Sequence, residues 1–129
     1  MSVVTLLTIQ NTTGVESVDP LDPDYVARQL EVVTSDIPPQ AAKTGALGSA
    51  EIVRVVAKWA AREMCPLVVD PVMISKHGAP LMERAAQQAL IKDLLPHAAL
   101  VTPNLPEAAA LTGTDASPSP TTATCCATS

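Results

Sequence analysis

Val3 to Ile9 is apolar and β-rich, which predicts a strand, closed by the polar loop Gln10-Asn11-Thr12-Thr13-Gly14. Asp22-Pro23 then reads as a helix start, an Asp cap with Pro in the first helical position. Val26, Leu30 and Val33 follow on one helical face, and Pro38-Pro39 ends the segment. Ala41 to Thr44 predicts a short strand and Gly45 to Gly48 a turn. The clearest helix starts at Ser49 and Glu51. Its apolar stripe is Ile52, Val55, Val56 and Trp59, with Glu51, Arg54, Lys58 and Arg62 on the other side, and Pro66 breaks it. Leu67-Val68-Val69 is a continuously apolar strand ending at Asp70-Pro71, followed by the loop Ser75-Lys76-His77-Gly78. A third helix is expected from Pro80 to Leu95, with Ala85, Ala89 and Leu90 turned inward and Pro96 at its end. Ala98-Ala99-Leu100-Val101 predicts the fourth strand, and Thr102-Pro103-Asn104 turns it into the helical run Ala108-Ala109-Ala110-Leu111.

Strand and helix alternate along the chain, four of each by this reading, with short connections. That order implies an α/β fold, a parallel sheet with flanking helices and right-handed crossovers. The expected domain covers residues 1–113. The tail, 114–129, is different: Ser117-Pro118-Ser119-Pro120-Thr121-Thr122-Ala123-Thr124 has no apolar period and reads as disordered.

Composition narrows the picture. At 129 residues and 47% hydrophobic, the chain is long and apolar enough for one packed core. Aromatic residues are only 2%, Tyr25 and Trp59, so the core must be aliphatic, as suits buried parallel strands. A net charge of −5 with no Lys/Arg cluster argues against nucleic acid as a partner. No apolar run approaches the roughly 18 residues of a membrane span. The N-terminus, Met1-Ser2-Val3-Val4-Thr5, has no basic region, so no leader is expected, and the expected location is cytoplasmic. Three cysteines, Cys65, Cys125 and Cys126, match no zinc or redox spacing and are expected as free thiols.

Candidate chemistry gathers where strands end. Asn104 and Glu107 stand at a strand-to-helix turn, the place where open α/β sheets hold ligands. Glu107 suits magnesium, directly or through water; equally, Asn104, Pro106 and Glu107 spell a helix cap with a capping box. Asp70 ends the third strand and suits a magnesium-bound nucleotide, or an Asx turn before Pro71. Gln10 ends the first strand, with an amide able to pair with a heterocycle or simply to close a strand. Lys43 reads as a snorkelling surface lysine rather than a phosphate ligand, and His77 as a solvated loop residue. No Walker-type loop, Ser-His-Asp order or His/Cys metal cluster is present.

Four motifs in order resemble the phosphomethylpyrimidine kinase family of thiamine biosynthesis, within the ribokinase-like superfamily. They are Thr8-Ile9-Gln10-Asn11-Thr12-Thr13-Gly14-Val15, Lys43-Thr44-Gly45-Ala46-Leu47-Gly48-Ser49, Val68-Val69-Asp70-Pro71-Val72-Met73 and Val101-Thr102-Pro103-Asn104-Leu105-Pro106-Glu107-Ala108, ending at Leu111-Thr112-Gly113. The resemblance implies a partial ribokinase-like fold and ATP-dependent phosphorylation of hydroxymethylpyrimidine and its monophosphate. It implies that Gln10 and Val72 meet the pyrimidine, and that Asp70, Asn104 and Glu107 place ATP and Mg2+, with Asp70 and Glu107 on the metal. Homo-oligomerisation is a further expectation. Ala46 stands where this family usually has methionine. The family's first strand with its substrate loop, and its later glycine-rich loop with a catalytic cysteine, have no match, so no catalytic residue is assigned and turnover is expected to be impaired. Two alternatives stand beside this reading: a non-catalytic ligand- or partner-binding remnant, and a pyridoxal kinase-like enzyme.

Overall fold

The computed structural model of the chain describes residues 1–74 and 80–114. His77, Cys125, Cys126 and the tail from 115 lie outside those residues. The order is β1 (Leu6–Gln10), β2 (Val15–Pro20), α1 (Pro23–Asp36), β3 (Ala42–Thr44), α2 (Ala50–Arg62), β4 (Leu67–Val69), α3 (Arg84–Ala89), β5 (Leu100–Val101) and α4 (Leu105–Thr112). Beyond Ala89 the helical path widens into a π turn, Leu90–Leu94, and tightens into a 3-10 turn, Leu95–His97.

β3, β4 and β5 form a parallel sheet in that order. The expected fourth parallel strand is corrected: β1 pairs antiparallel with β2 in a sheet of its own. The polar loop after Gln10 is a hairpin turn. Asn11 Oδ1 accepts from the backbone N–H groups of Thr13 (2.9 Å) and Gly14 (3.0 Å), and the Asn11 N–H donates to the Gly14 carbonyl at 3.0 Å. An Asx turn of this kind returns the chain instead of sending it into a crossover.

The helix starts follow the sequence closely. Asp22 Oδ1 accepts from the N–H of Asp24 at 2.8 Å, and Ser49 Oγ accepts from the N–H of Ile52 at 3.3 Å. Gly48, at φ 75°, sits against Leu6 and Pro20, where a Cβ would lie 3.2 Å from side-chain atoms of both. The turn before α2 therefore docks the base of the hairpin, and it needs glycine for both reasons.

The third helix is also corrected. It begins at Arg84, because the Leu81 N–H donates to the Met73 carbonyl at 2.8 Å and Pro80 bridges back to Ile74. The later start turns Ala86 inward, fully buried, and leaves Ala85 exposed.

The core lies between the sheet and α1, α2 and α3. Ile52, Val53, Val56 and Trp59 of α2 are buried with Val26 of α1, Leu90 and Leu94 after α3, and Leu67 and Val69 of β4. The strands are added in one direction, β3-β4-β5, and with crossovers of the usual right hand α2 and α3 fall on the same side, where they touch each other. The opposite face shows it: the Lys43 side chain is 60% exposed and Leu100 47%.

Candidate functional site

In a parallel sheet every strand ends at the same edge, so β4 and β5 deliver Asp70 and Thr102-Pro103-Asn104 side by side. The ladder continues past β5, since the Thr102 N–H donates to the Val69 carbonyl at 3.0 Å. Asp70, Asn104 and Glu107 therefore share one edge. Val72 follows Asp70 across a tight turn in which its N–H donates to the Asp70 carbonyl at 2.9 Å.

Asn104 and Glu107 make a complete capping box. The Glu107 N–H donates to Asn104 Oδ1, and the Asn104 N–H donates to Glu107 Oε2, each at 2.9 Å. Glu107 is only 6% exposed. A buried carboxylate held by one backbone donor still has lone pairs to offer, and among the described residues no Lys or Arg pairs with it. At the helix end, Pro106 has no N–H and the Glu107 N–H is taken by the cap.

Asp70 is held differently from either sequence reading. Its Oδ2 accepts from Lys43 Nζ at 2.8 Å, an ion pair joining the ends of β3 and β4. Sequence reasoning missed this contact between residues 27 apart. The signal lies in the register: Lys43 pairs with Val68, which places its side chain within reach of the residue just past Val69. With the lysine 60% and the aspartate 28% exposed, the pair contributes about 0–1 kcal/mol to stability. Its main effect is to put a cation beside the carboxylate.

Thr44, the last residue of β3, is 7% exposed and its Oγ1 has no hydrogen-bond partner among the described residues. A buried hydroxyl left unpaired costs about 1–3 kcal/mol. Thr44→Val, which swaps the hydroxyl for a methyl, is expected to raise stability by about 1 kcal/mol in urea unfolding. A loss of stability would show that the hydroxyl is satisfied in solution.

Gln10 lies on the β1–β2 hairpin, which is a sheet of its own. It stands at the tip end of β1, exposed, opposite Val15, with a register shift between Ile9 and Gln10. Such a bulge re-aims a side chain.

The donor set is two carboxylates, an amide and a lysine. Among the described residues no group of three or more His, Cys, Asp or Glu side chains is gathered to cage a metal. Mg2+ does not need such a cage; it keeps waters and takes one or two carboxylates plus substrate phosphates. The residues present therefore fit a magnesium-bound nucleotide better than a structural metal.

A family model described as phosphomethylpyrimidine kinase matches residues 1–128, running past the last sequence motif at Gly113. The hydroxymethylpyrimidine/phosphomethylpyrimidine kinase of Synechococcus elongatus is 50% identical over 112 residues, which is 87% of this chain and 43% of that protein. The chain thus spans about two fifths of that relative's length. The crystal structure of a phosphomethylpyrimidine kinase from Clostridium difficile superposes with a TM-score of 0.79 at 46% identity, covering 88% of this chain and 49% of that one. The pyridoxal kinase of Staphylococcus aureus, in complex with AMP-PCP and pyridoxal, superposes with a TM-score of 0.72 at 36% identity, covering 86% and 39%.

Proposed function

Because the chain belongs to the phosphomethylpyrimidine kinase family, we propose that its sheet edge serves the ATP-dependent phosphorylation of hydroxymethylpyrimidine and its monophosphate in thiamine biosynthesis. The observation that carries this reading is the meeting of Asp70, Asn104 and Glu107 at the ends of two adjacent parallel strands, with Lys43 on Asp70.

Bound magnesium and ATP would supply the transferable phosphoryl group and neutralise its charge. The chain's own residues orient. Asp70, part-exposed at the strand end, offers a carboxylate to the metal side, either directly or through water. Release from that carboxylate frees Lys43 to face the phosphates as a point charge. Glu107 holds the Asn104 turn in shape through the capping box and leaves further lone pairs towards the edge. Gln10 would pair with the pyrimidine through its amide and Val72 would flank the ring. For Gln10 this requires the hairpin to lean over the sheet edge. Positioning and charge stabilisation are most of what phosphoryl transfer asks of a protein.

Likeness to a pyridoxal kinase supports a second substrate class. Calorimetric titration of the 129-residue chain with hydroxymethylpyrimidine and with pyridoxal, each beside magnesium and AMP-PCP, separates the two. The pyrimidine is expected to bind at least about tenfold tighter, roughly 1.4 kcal/mol. Tighter binding of pyridoxal would contradict the assignment, and so would binding of neither compound.

A further inference from the structure

A trough of about 790 Å³ runs between α2 and the helical path that leads from α3 to the 3-10 turn. It is separate from the site above: Asp70, Asn104 and Glu107 do not line it. Its floor is made of small side chains, with Ala57 and Ala89 buried and Ala61 and Ala85 open to solvent.

Charge is spread unevenly over this chain, and the trough collects cations. The chain as a whole carries a net charge of −5, yet Arg54, Lys58 and Lys92 line the trough against a single carboxylate, Asp93. That carboxylate is already engaged, with Arg54 Nε 3.6 Å from Asp93 Oδ2. Lys58 and Lys92 are exposed and have no ion-pair partner among the described residues. They stand on opposite walls, Lys58 on α2 and Lys92 in the π turn. Lysines that face each other across an alanine floor do not converge on one compact anion. They suit carboxylates carried on the two flanks of an apolar ridge. Two helices lying side by side leave a groove that takes the ridge of a third, and small floor side chains let its backbone come close. Nucleic acid is a poor fit, since no aromatic side chain lines the trough to stack a base.

We propose that this trough docks a short, acidic amphipathic helix of a partner protein. The helix lays a ridge of small apolar side chains on the alanine floor and sets glutamates on its two flanks against Lys58 and Lys92. Exposed ion pairs contribute little each and are screened by salt, so the contact is weak and salt-dependent. The proposal is independent of the nucleotide site, because it uses no residue of the sheet edge.

The test is fluorescence anisotropy of a labelled synthetic peptide titrated with the 129-residue chain. The peptide has about 15–20 residues, long enough to be helical, with alanine and leucine on one face and glutamate on both flanks. A scrambled peptide of the same composition keeps the charge and loses the apolar face. Saturable binding of the amphipathic peptide is expected at about 0.02 M salt, and it weakens as salt rises to about 0.3 M. The double variant Lys58→Gln, Lys92→Gln is expected to weaken binding about threefold to tenfold, while Asp70→Asn keeps it within about twofold. Ala61→Gln, a neutral change at an exposed helix position, fills part of the floor and is expected to weaken binding without removing a charge. It also serves if the double variant fails to fold by circular dichroism. Absence of saturable binding would overturn the proposal. So would equal binding of the scrambled peptide, or an affinity that neither the lysine pair nor Ala61→Gln changes. Self-association of the chain in sedimentation that the lysine substitutions abolish would also overturn it, in favour of a second copy as the occupant.

Discussion

Leu90→Ala is expected to destabilise the chain by about 2–5 kcal/mol and to abolish a cooperative melt under ordinary conditions. Leu90 is fully buried where the α-helical path opens into the π turn, and it packs into the cluster around Ile52, Val53 and Val56 of α2. The loss combines the transfer energy of the missing carbons with a cavity that the surrounding side chains only partly fill. Domains of ordinary stability hold about 5–15 kcal/mol in total. This chain has little in reserve. Its parallel strands are two or three residues long, and one sheet face leaves Lys43 and Leu100 in solvent. Urea unfolding followed by circular dichroism reads the effect, with Lys92→Ala on the exposed side as a control expected within about 0.5 kcal/mol. A Leu90→Ala loss no larger than the control's would mean that the packing between α2 and the π turn is not where the stability resides.

Much of this architecture is legible in the sequence, because the signals are local. Asp22-Pro23, Ser49 and Asn104-Leu105-Pro106-Glu107 each fix a helix start through a cap, and the structure shows each cap bonded. The apolar strand Leu67-Val68-Val69 ends where the ladder ends. What escaped was non-local or weakly patterned. β2 carries only Val15 and Val18 among its polar residues, so its alternation is faint, and only the Asn11 turn announces it. Ala85 and Ala86 cannot be told apart by composition; the bridge from Ile74 to Pro80 decides where α3 begins and which alanine turns inward. In the candidate site, residues that end strands can be picked out one at a time. Their meeting depends on register, and the Lys43–Asp70 pair appears only once β3 and β4 are aligned. Gln10 reads correctly as a strand end; what the sequence does not show is that its strand turns back antiparallel in a hairpin.

Asp70→Asn is expected to weaken magnesium-dependent nucleotide binding by about 10- to 100-fold while leaving the fold intact. The substitution keeps the shape and removes one charge, and an interaction with a charged group is worth about 1.5–3 kcal/mol. The structural cost is small, since the part-exposed pair with Lys43 contributes about 0–1 kcal/mol. Asn104→Ala should act differently. It removes the side-chain half of the capping box, costs about 1 kcal/mol of stability, and loosens the turn that carries buried Glu107. The two variants thus separate charge at the edge from the shape of the edge.

The most direct measurement is calorimetric titration of the 129-residue chain with AMP-PCP, with and without magnesium, for the unmodified protein and Asp70→Asn. If the edge formed by β4 and β5 is the nucleotide site, AMP-PCP binds saturably, the affinity falls when magnesium is withheld, and Asp70→Asn loses most of that magnesium-dependent gain. Absence of saturable binding would contradict that placement, as would an affinity that neither Asp70→Asn nor the removal of magnesium changes.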